Sequence, residues 1–144
     1  MGAFQFVSVD ADHRPGDPAA TLQAVGIRIE AAEAALDSSG DHLGIHLACV
    51  FLDEVDALLR SVVADEATDA IAARGLSSLR DRLSGHVLAA RELEAIEMPD
   101  EAVAAVLRLA VAPARSGLAR LAYRMAREQA LAEGWADTGS PRRR

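Results

Sequence analysis

Apolar residues recur at alternating steps of three and four along most of the chain, which is the spacing of amphipathic helices. The first segment opens with Asp17 and Pro18, a favoured pair for starting a helix, and runs towards Gly40. Arg28 falls outside its apolar seam. The pattern predicts an amphipathic helix with a narrow seam of Pro18, Leu22, Val25, Ile29, Ala32 and Leu36.

A second helix is predicted over about 42–64, with Asp41 as its N-cap. One broad face of this helix carries Leu47, Phe51, Val55, Leu58, Leu59 and Val62. Residues 65–75 are compatible with a short helical connector or with the first turns of a third helix. Gly75 is the expected irregularity in that segment.

The third helix is predicted to extend to about Ile96, through Leu76, Leu79, Leu83, Val87, Ala90 and Leu93. Pro99 begins the fourth. Pro113 interrupts the hydrogen-bond ladder of this long helix and should kink or divide it. The seam of the fourth helix is formed by Val103, Leu107, Val111, Ala114, Leu118, Leu121 and Met125.

Four amphipathic segments joined by short connections favour an all-α fold, an antiparallel up-down-up-down four-helix bundle with a kinked last helix. We expect a single bundle domain over residues 17–136. Residues 1–16 form a short N-terminal arm whose stretch F-Q-F-V-S-V is expected to be extended, with Phe4 and Phe6 packed on the bundle. Residues 137–144 read as a basic, disordered tail.

Composition narrows the classes of protein. The chain has 144 residues and one cysteine, which excludes an intramolecular disulfide framework. Its uninterrupted apolar runs are far shorter than the roughly 20 residues of a membrane span, and no secretory signal pattern is present. We therefore expect a cytoplasmic protein without a membrane partner.

The charges are divided unevenly between the two parts of the chain. Residues 1–102 contain 7 arginines and 19 acidic residues, whereas residues 103–144 contain 8 arginines and 3 acidic residues. The simplest interpretation is that a basic last helix lies against acidic neighbours and complements its own C-terminal dipole.

Four side chains that can ligate metals occur at helical spacing in the predicted second helix: His42, His46, Cys49 and Asp53. At 100° per residue they share an arc about 60° wide. Two histidines one turn apart can hold a divalent ion. Position 53 is about 16 Å along the helix from position 42, so all four cannot reach one ion. We interpret them as a solvated polar stripe with Cys49 partly covered, and a weak metal site is the alternative.

His86 lies on the apolar face of the third helix, between Leu83 and Leu93. A histidine at such a position is usually a partly buried residue whose ring nitrogen meets a backbone carbonyl. The alternative is a ligand-binding or pH-sensing group. An exposed His42 or His46 could also accept a phosphoryl group, as in bundle phosphotransfer domains, but the residues around them do not match that family.

Arg120, Arg124 and Arg127 project together from the fourth helix and could contact an acidic protein partner. Aromatic residues for stacking are scarce and the chain is acidic overall, so nucleic-acid binding is not expected.

No catalytic or cofactor signature is present in the sequence, so an enzyme is not the favoured class. We predict a non-catalytic interaction or regulatory module that self-associates through helical surfaces, as a homodimer. Ile27 opposite its own seam and the broad apolar face of helix 2 are the basis for this. The alternatives are a metal-binding bundle centred on His42 and His46, and a phosphotransfer or small-ligand-binding bundle.

Overall fold

The computed structural model of the protein describes residues 18–38, 41–66 and 68–134, and these residues form four α-helices and no strand. The predicted all-α, four-helix architecture is therefore confirmed. The predictions for the N-terminal arm, for Gly40 and for the basic tail lie outside the described residues. The helices are α1 (Pro18–Ser38), α2 (His42–Ala64), α3 (Ala70–Ala95) and α4 (Asp100–Ala132).

Two aspartates fix the starts of the middle helices. The Asp41 carboxylate accepts a hydrogen bond from the Gly44 amide at 3.1 Å, which confirms it as the N-cap of α2. Asp69 accepts from the Ala72 amide at 2.8 Å and caps α3. Because α3 begins at Ala70, the second half of the segment 65–75 is the first part of α3.

Gly75 lies inside α3, so the expectation of an irregularity there is wrong. Its role is a close approach between α3 and α4. A methyl group at Gly75 would lie 2.8 Å from Leu121 Cδ2, and a methyl group at Gly117 would lie 2.9 Å from Leu79 Cδ1. Each helix thus presents a glycine to a leucine of the other, which lets the two axes come close.

Each helix packs on the next one along the chain, and α1 also packs on α4, as in a bundle. The core is almost entirely aliphatic. The predicted seams of α1 and α4 are largely buried, although Leu121 and Met125 near the end of α4 are only partly covered. The largest buried apolar side chains are Ile29, Leu36, Ile45, Leu52, Leu59, Leu76 and Leu107.

The buried face of α2 differs from the predicted one. Leu47 is 39% exposed, while Ile45, Cys49 and Leu52 are buried. The cause is that α2 is covered from two sides, by α1 and by α3, so its buried arc is centred elsewhere than the apolar residues alone suggest.

The single helix α4 passes through Pro113, so a division of the helix at this residue is wrong. Pro113 and Leu109 are both exposed. Because Pro113 has no backbone N–H, the backbone carbonyl of Leu109 receives no hydrogen bond from it. This carbonyl lies on the solvent side of the helix, where water can donate to it. The kink at Pro113 and the up-down-up-down order of the helices stay predictions.

Candidate functional site

The four metal-capable side chains of α2 do not come together in the structure. His42 and His46 are exposed, with the His42 side chain 80% accessible, whereas Cys49 is buried. Asp53 turns towards α3 and accepts a hydrogen bond from Arg91 at 2.6 Å. Among the described residues, no group of three or more His, Cys, Asp or Glu side chains is placed to hold a metal ion.

The surroundings of Cys49 disfavour its thiolate. Burial raises the pKa of the Cys49 thiol, the charge of Arg91 opposes this increase, and the carboxylates of Glu94 and Asp53 add to it. The thiolate is the form that binds metals and attacks electrophiles. A neutral thiol at physiological pH is therefore a poor candidate for either role.

Asp53 of this stripe and Asp56, which lies beside it on α2, are both engaged by arginines of α3. The Asp56 carboxylate accepts hydrogen bonds from Arg80 at 2.7 Å, from Ser84 at 3.1 Å and from Arg60 at 3.0 Å. Burial alone would raise the pKa of Asp56, but the hydrogen bonds from Arg80 and Ser84 and the two nearby guanidinium charges outweigh it and hold the pKa below its ordinary value. The stripe is therefore part of a polar seam between α2 and α3.

His86 is partly buried, as predicted from its position. Its Nδ1 lies 2.8 Å from the backbone carbonyl oxygen of Arg82, one turn earlier. The ring borders a cavity of about 120 Å³ that Leu109 and Pro113 line from α4. The carbonyl contact is the one expected for a histidine at the edge of a core, and the cavity is small for an organic ligand.

The basic side chains of α4 are divided between intramolecular ion pairs and solvent. Arg115 contacts Glu33 of α1 at 2.6 Å, and Arg108 lies 3.8 Å from Asp37. These pairs agree with a basic last helix lying against an acidic neighbour. The last turn of α4 contains no basic residue, so the expected complement to the helix dipole is not seen there.

The predicted partner-binding arginines share one side of α4. Arg120 and Arg127 are exposed, and Arg124 is half-buried and lies 3.4 Å from Glu128. The cluster therefore offers two accessible guanidinium groups and a third that is already close to a carboxylate.

Arg28 is the residue whose burial differs most from the prediction made from the sequence. Its side chain is fully buried, its Nε donates to Glu54 Oε1 of α2 at 2.9 Å, and its Nη1 donates to the Ala24 carbonyl at 3.1 Å. The spacing of apolar residues predicts that α1 buries one narrow side only, and Arg28 lies outside that predicted seam. In the structure α1 lies between α2 and α4, and its buried arc extends to Arg28.

A groove of about 920 Å³ lies between α1 and α4, over the first half of α1 and the second half of α4. Its interior is mainly apolar. Charged residues on its border include Glu30, Asp69, Arg115 and Glu128. The apolar lining is formed by Pro18, Leu22, Ile29, Leu118, Ala119, Ala122, Met125, Ala126 and Ala132.

A second apolar surface lies on the outside of α1 and α2, and we call it the outer α1–α2 patch: Ile27, Leu43, Leu47 and Val50. All four side chains are more than a third exposed. The three residues of α2 are spaced by four and three and share one stripe, which Glu54 continues. The hydrogen bond that Arg28 Nε donates to Glu54 Oε1 joins α1 to the end of this stripe, and Ile27 is the residue before Arg28.

Comparisons with protein-family models, with curated protein sequences and with solved structures return no significant match. Within the described ranges, α4 is long and apolar enough to cross a membrane by length and composition. Core helices of soluble proteins meet the same criterion, and α4 buries a row of eight residues against the other helices.

Proposed function

We propose that this chain is a non-catalytic helical-bundle module, cytoplasmic, that acts through its helical surfaces and associates with a second copy of itself. The observation that carries the proposal is the outer α1–α2 patch. Apolar side chains that share one exposed face mark an interaction surface more often than isolated ones do. Leu43 is the most exposed of the four, at 60%, and the apolar residues Leu47 and Val50 follow it on the same stripe.

A second copy is the partner that the patch fits best. Its four residues carry no charge, and the Glu54 carboxylate at the end of the stripe is already paired with Arg28, so two copies related by a twofold axis would bring mainly apolar surfaces together. The neighbouring outer positions of α1 are the small residues Ala31, Ala34 and Ala35. Small side chains there would let a partner helix approach closely.

Sedimentation velocity at micromolar concentration tests this proposal. We expect a dimer for the native protein and a monomer for Leu47→Glu, because one charge at the centre of the patch would be desolvated in each subunit. Leu88→Glu is the matched control, since Leu88 is an exposed leucine on α3 outside the patch. A native protein that stays monomeric, or a Leu47→Glu variant that still forms the dimer, would contradict the proposal.

A second role is supported by the arginines of α4. Arg120 and Arg127 are exposed on the same side of the helix and could receive carboxylates of an acidic protein partner. This surface is separate from the outer α1–α2 patch, so self-association and partner binding would not compete for the same residues.

A further inference from the structure

The face of α4 that points away from the bundle carries a second set of positions spaced by four and three. Tyr123, near its middle, is 71% exposed, and Leu109, at its start, is 65% exposed. This is the spacing at which one helix packs along another. We call the following six residues the outer seam of α4: Ala112, Ser116, Ala119, Tyr123, Ala126 and Ala130. The first five are exposed and Ala130 is partly buried.

The outer seam lies in a basic surface. Residues 102–127 contain five arginines and no acidic residue. The arginines at positions 108, 115 and 124 lie 2.6–3.8 Å from a carboxylate oxygen of this chain. Arg120 and Arg127 differ from these three, because both are exposed and neither forms an ion pair with a carboxylate of the described residues. They are seven residues apart, which places them on one edge of the seam, about 10.5 Å from each other along the helix.

We propose that the outer seam of α4 binds an α-helix of an acidic protein partner, whose apolar side chains pack around Tyr123 and whose carboxylates pair with Arg120 and Arg127. This inference rests on the acidic-partner role proposed above and adds the form of the partner. Each arginine directly follows an alanine of the seam, which is the e position of a heptad. Charges at this position select the charge of the neighbouring helix. The partner helix therefore carries carboxylates spaced by seven residues.

The side chains of the outer seam suit a helix as the neighbour. Alanine recurs every seven residues, at positions 112, 119 and 126, and its small side chain allows two helix backbones to come close. The Arg120 guanidinium leaves this path open. Its Nη2 lies 3.9 Å from the position that a methyl group would take at Gly117, which faces Leu79 of α3. The charge is thus held on the α3 side of the seam, beside the alanines.

Charge decides between an acidic helix and a second copy of α4. Between residues 102 and 127 a second copy offers arginines and uncharged residues but no carboxylate, so pairing two outer seams would place like charges along the same edge. A lipid surface also fits less well than an acidic helix. The alanines offer a bilayer little apolar area, and only two accessible guanidinium groups would attract anionic lipids to a chain of net charge -7.

A charge exchange between the native chain and two synthetic peptides tests the proposal. The Glu peptide has three heptads with leucine at a and d and glutamate at e and g, and the Lys peptide has lysine in place of glutamate. Like charges keep each peptide from pairing with itself. By fluorescence anisotropy at low salt, we expect the native protein to prefer the Glu peptide. Arg120→Glu/Arg127→Glu should weaken this binding by about tenfold or more and reverse the preference.

Two further variants separate the seam from general electrostatic attraction. Ala119→Gln places a long uncharged side chain in the centre of the seam and should also weaken binding of the Glu peptide by about tenfold. Arg74→Glu/Arg82→Glu is the matched control, because it makes the same change of charge at two exposed arginines of α3. The control should still prefer the Glu peptide. Circular dichroism of each variant checks that the bundle remains folded.

The other outcomes overturn the proposal in distinguishable ways. Equal binding of the Glu peptide and of a scrambled peptide of the same composition, both lost in Arg120→Glu/Arg127→Glu, would reject the helical seam but keep the acidic-partner role. Failure of both peptides to bind, or a native preference for the Lys peptide, would contradict that role as well. Cosedimentation with phosphatidylglycerol vesicles that Arg120→Glu/Arg127→Glu abolishes would assign the surface to lipid. A native dimer that becomes monomeric in Ala119→Gln would assign it to a second copy.

Discussion

Replacing Glu54 by alanine is expected to lower the free energy of unfolding because it removes the carboxylate that pairs with the buried Arg28. The Arg28 side chain is fully buried, whereas that of Glu54 is 40% exposed. A hydrogen bond to a charged group contributes about 1.5–3 kcal/mol. Solvent reaches the carboxylate and Arg28 keeps its bond to the Ala24 carbonyl, so we expect about 1.5–2 kcal/mol.

Arg28→Met should behave differently. Methionine keeps an unbranched apolar side chain in the space between the helices and removes the buried charge. Replacement of a buried ion pair by apolar residues is often neutral or stabilising. We expect Arg28→Met to change the free energy of unfolding by less than about 1 kcal/mol. In this background Glu54→Ala should cost no more than about 0.5 kcal/mol, because its partner is gone.

The measurement is urea unfolding followed by circular dichroism, for the native protein, the two single variants and the double variant. With a slope of roughly 1–3 kcal/mol per molar urea, a loss of 1.5–2 kcal/mol moves the midpoint by about 1 M. Glu33→Ala is the control, because its pair with Arg115 is more exposed and should contribute about 0.2–1 kcal/mol. Equal costs of Glu54→Ala in the two backgrounds would refute the reasoning.

Two further predictions concern the polar stripe of α2. Asp56→Asn should lower the free energy of unfolding at pH 7 by about 1–2 kcal/mol. Because the pKa of Asp56 is lowered in the folded state, this loss should be fully present above the unfolded pKa of about 3.9 and should shrink as the pH falls below it. A difference in urea unfolding that does not depend on pH would contradict this prediction. EDTA and His42→Ala/His46→Ala should each leave the melting temperature unchanged, because both rings are exposed; a chelator-induced loss restored by one equivalent of metal, and absent in the double variant, would show a metal site.

The bounds of the helices could be predicted closely from the sequence, because they depend on local signals. The spacing of apolar residues, the capping Asp41 and the position of Pro99 place the starts of α2 and α4 within a residue. The start of α3 also has a local signal, because the Asp69 carboxylate accepts a hydrogen bond from the Ala72 amide. The prediction for this segment relied on Gly75 instead and placed an irregularity there.

The polar contacts between helices could not be predicted, because they depend on how the helices are rotated and aligned. Arg28 meets Glu54 across 26 positions of sequence, and Asp53 meets Arg91 across 38. The end of α3 is a similar case. Glu97 adopts a positive φ of 62°, a conformation usual for glycine, and the Met98 amide donates to the Leu93 carbonyl there. None of the residue types in that segment predicts this turn.

Two glycine–leucine contacts join α3 and α4, one between Gly75 and Leu121 and one between Gly117 and Leu79. They constrain which substitutions related chains can carry at these positions. Leu121 is only partly buried and can swing away from a methyl group at position 75, so alanine is tolerable there. Leu79 is buried among core residues and cannot move away from position 117 in the same manner. Alanine at 117 therefore requires the Cδ1 methyl group of Leu79 to shift within the packed core. Across homologues, positions 79 and 117 should covary strongly, and positions 75 and 121 only weakly.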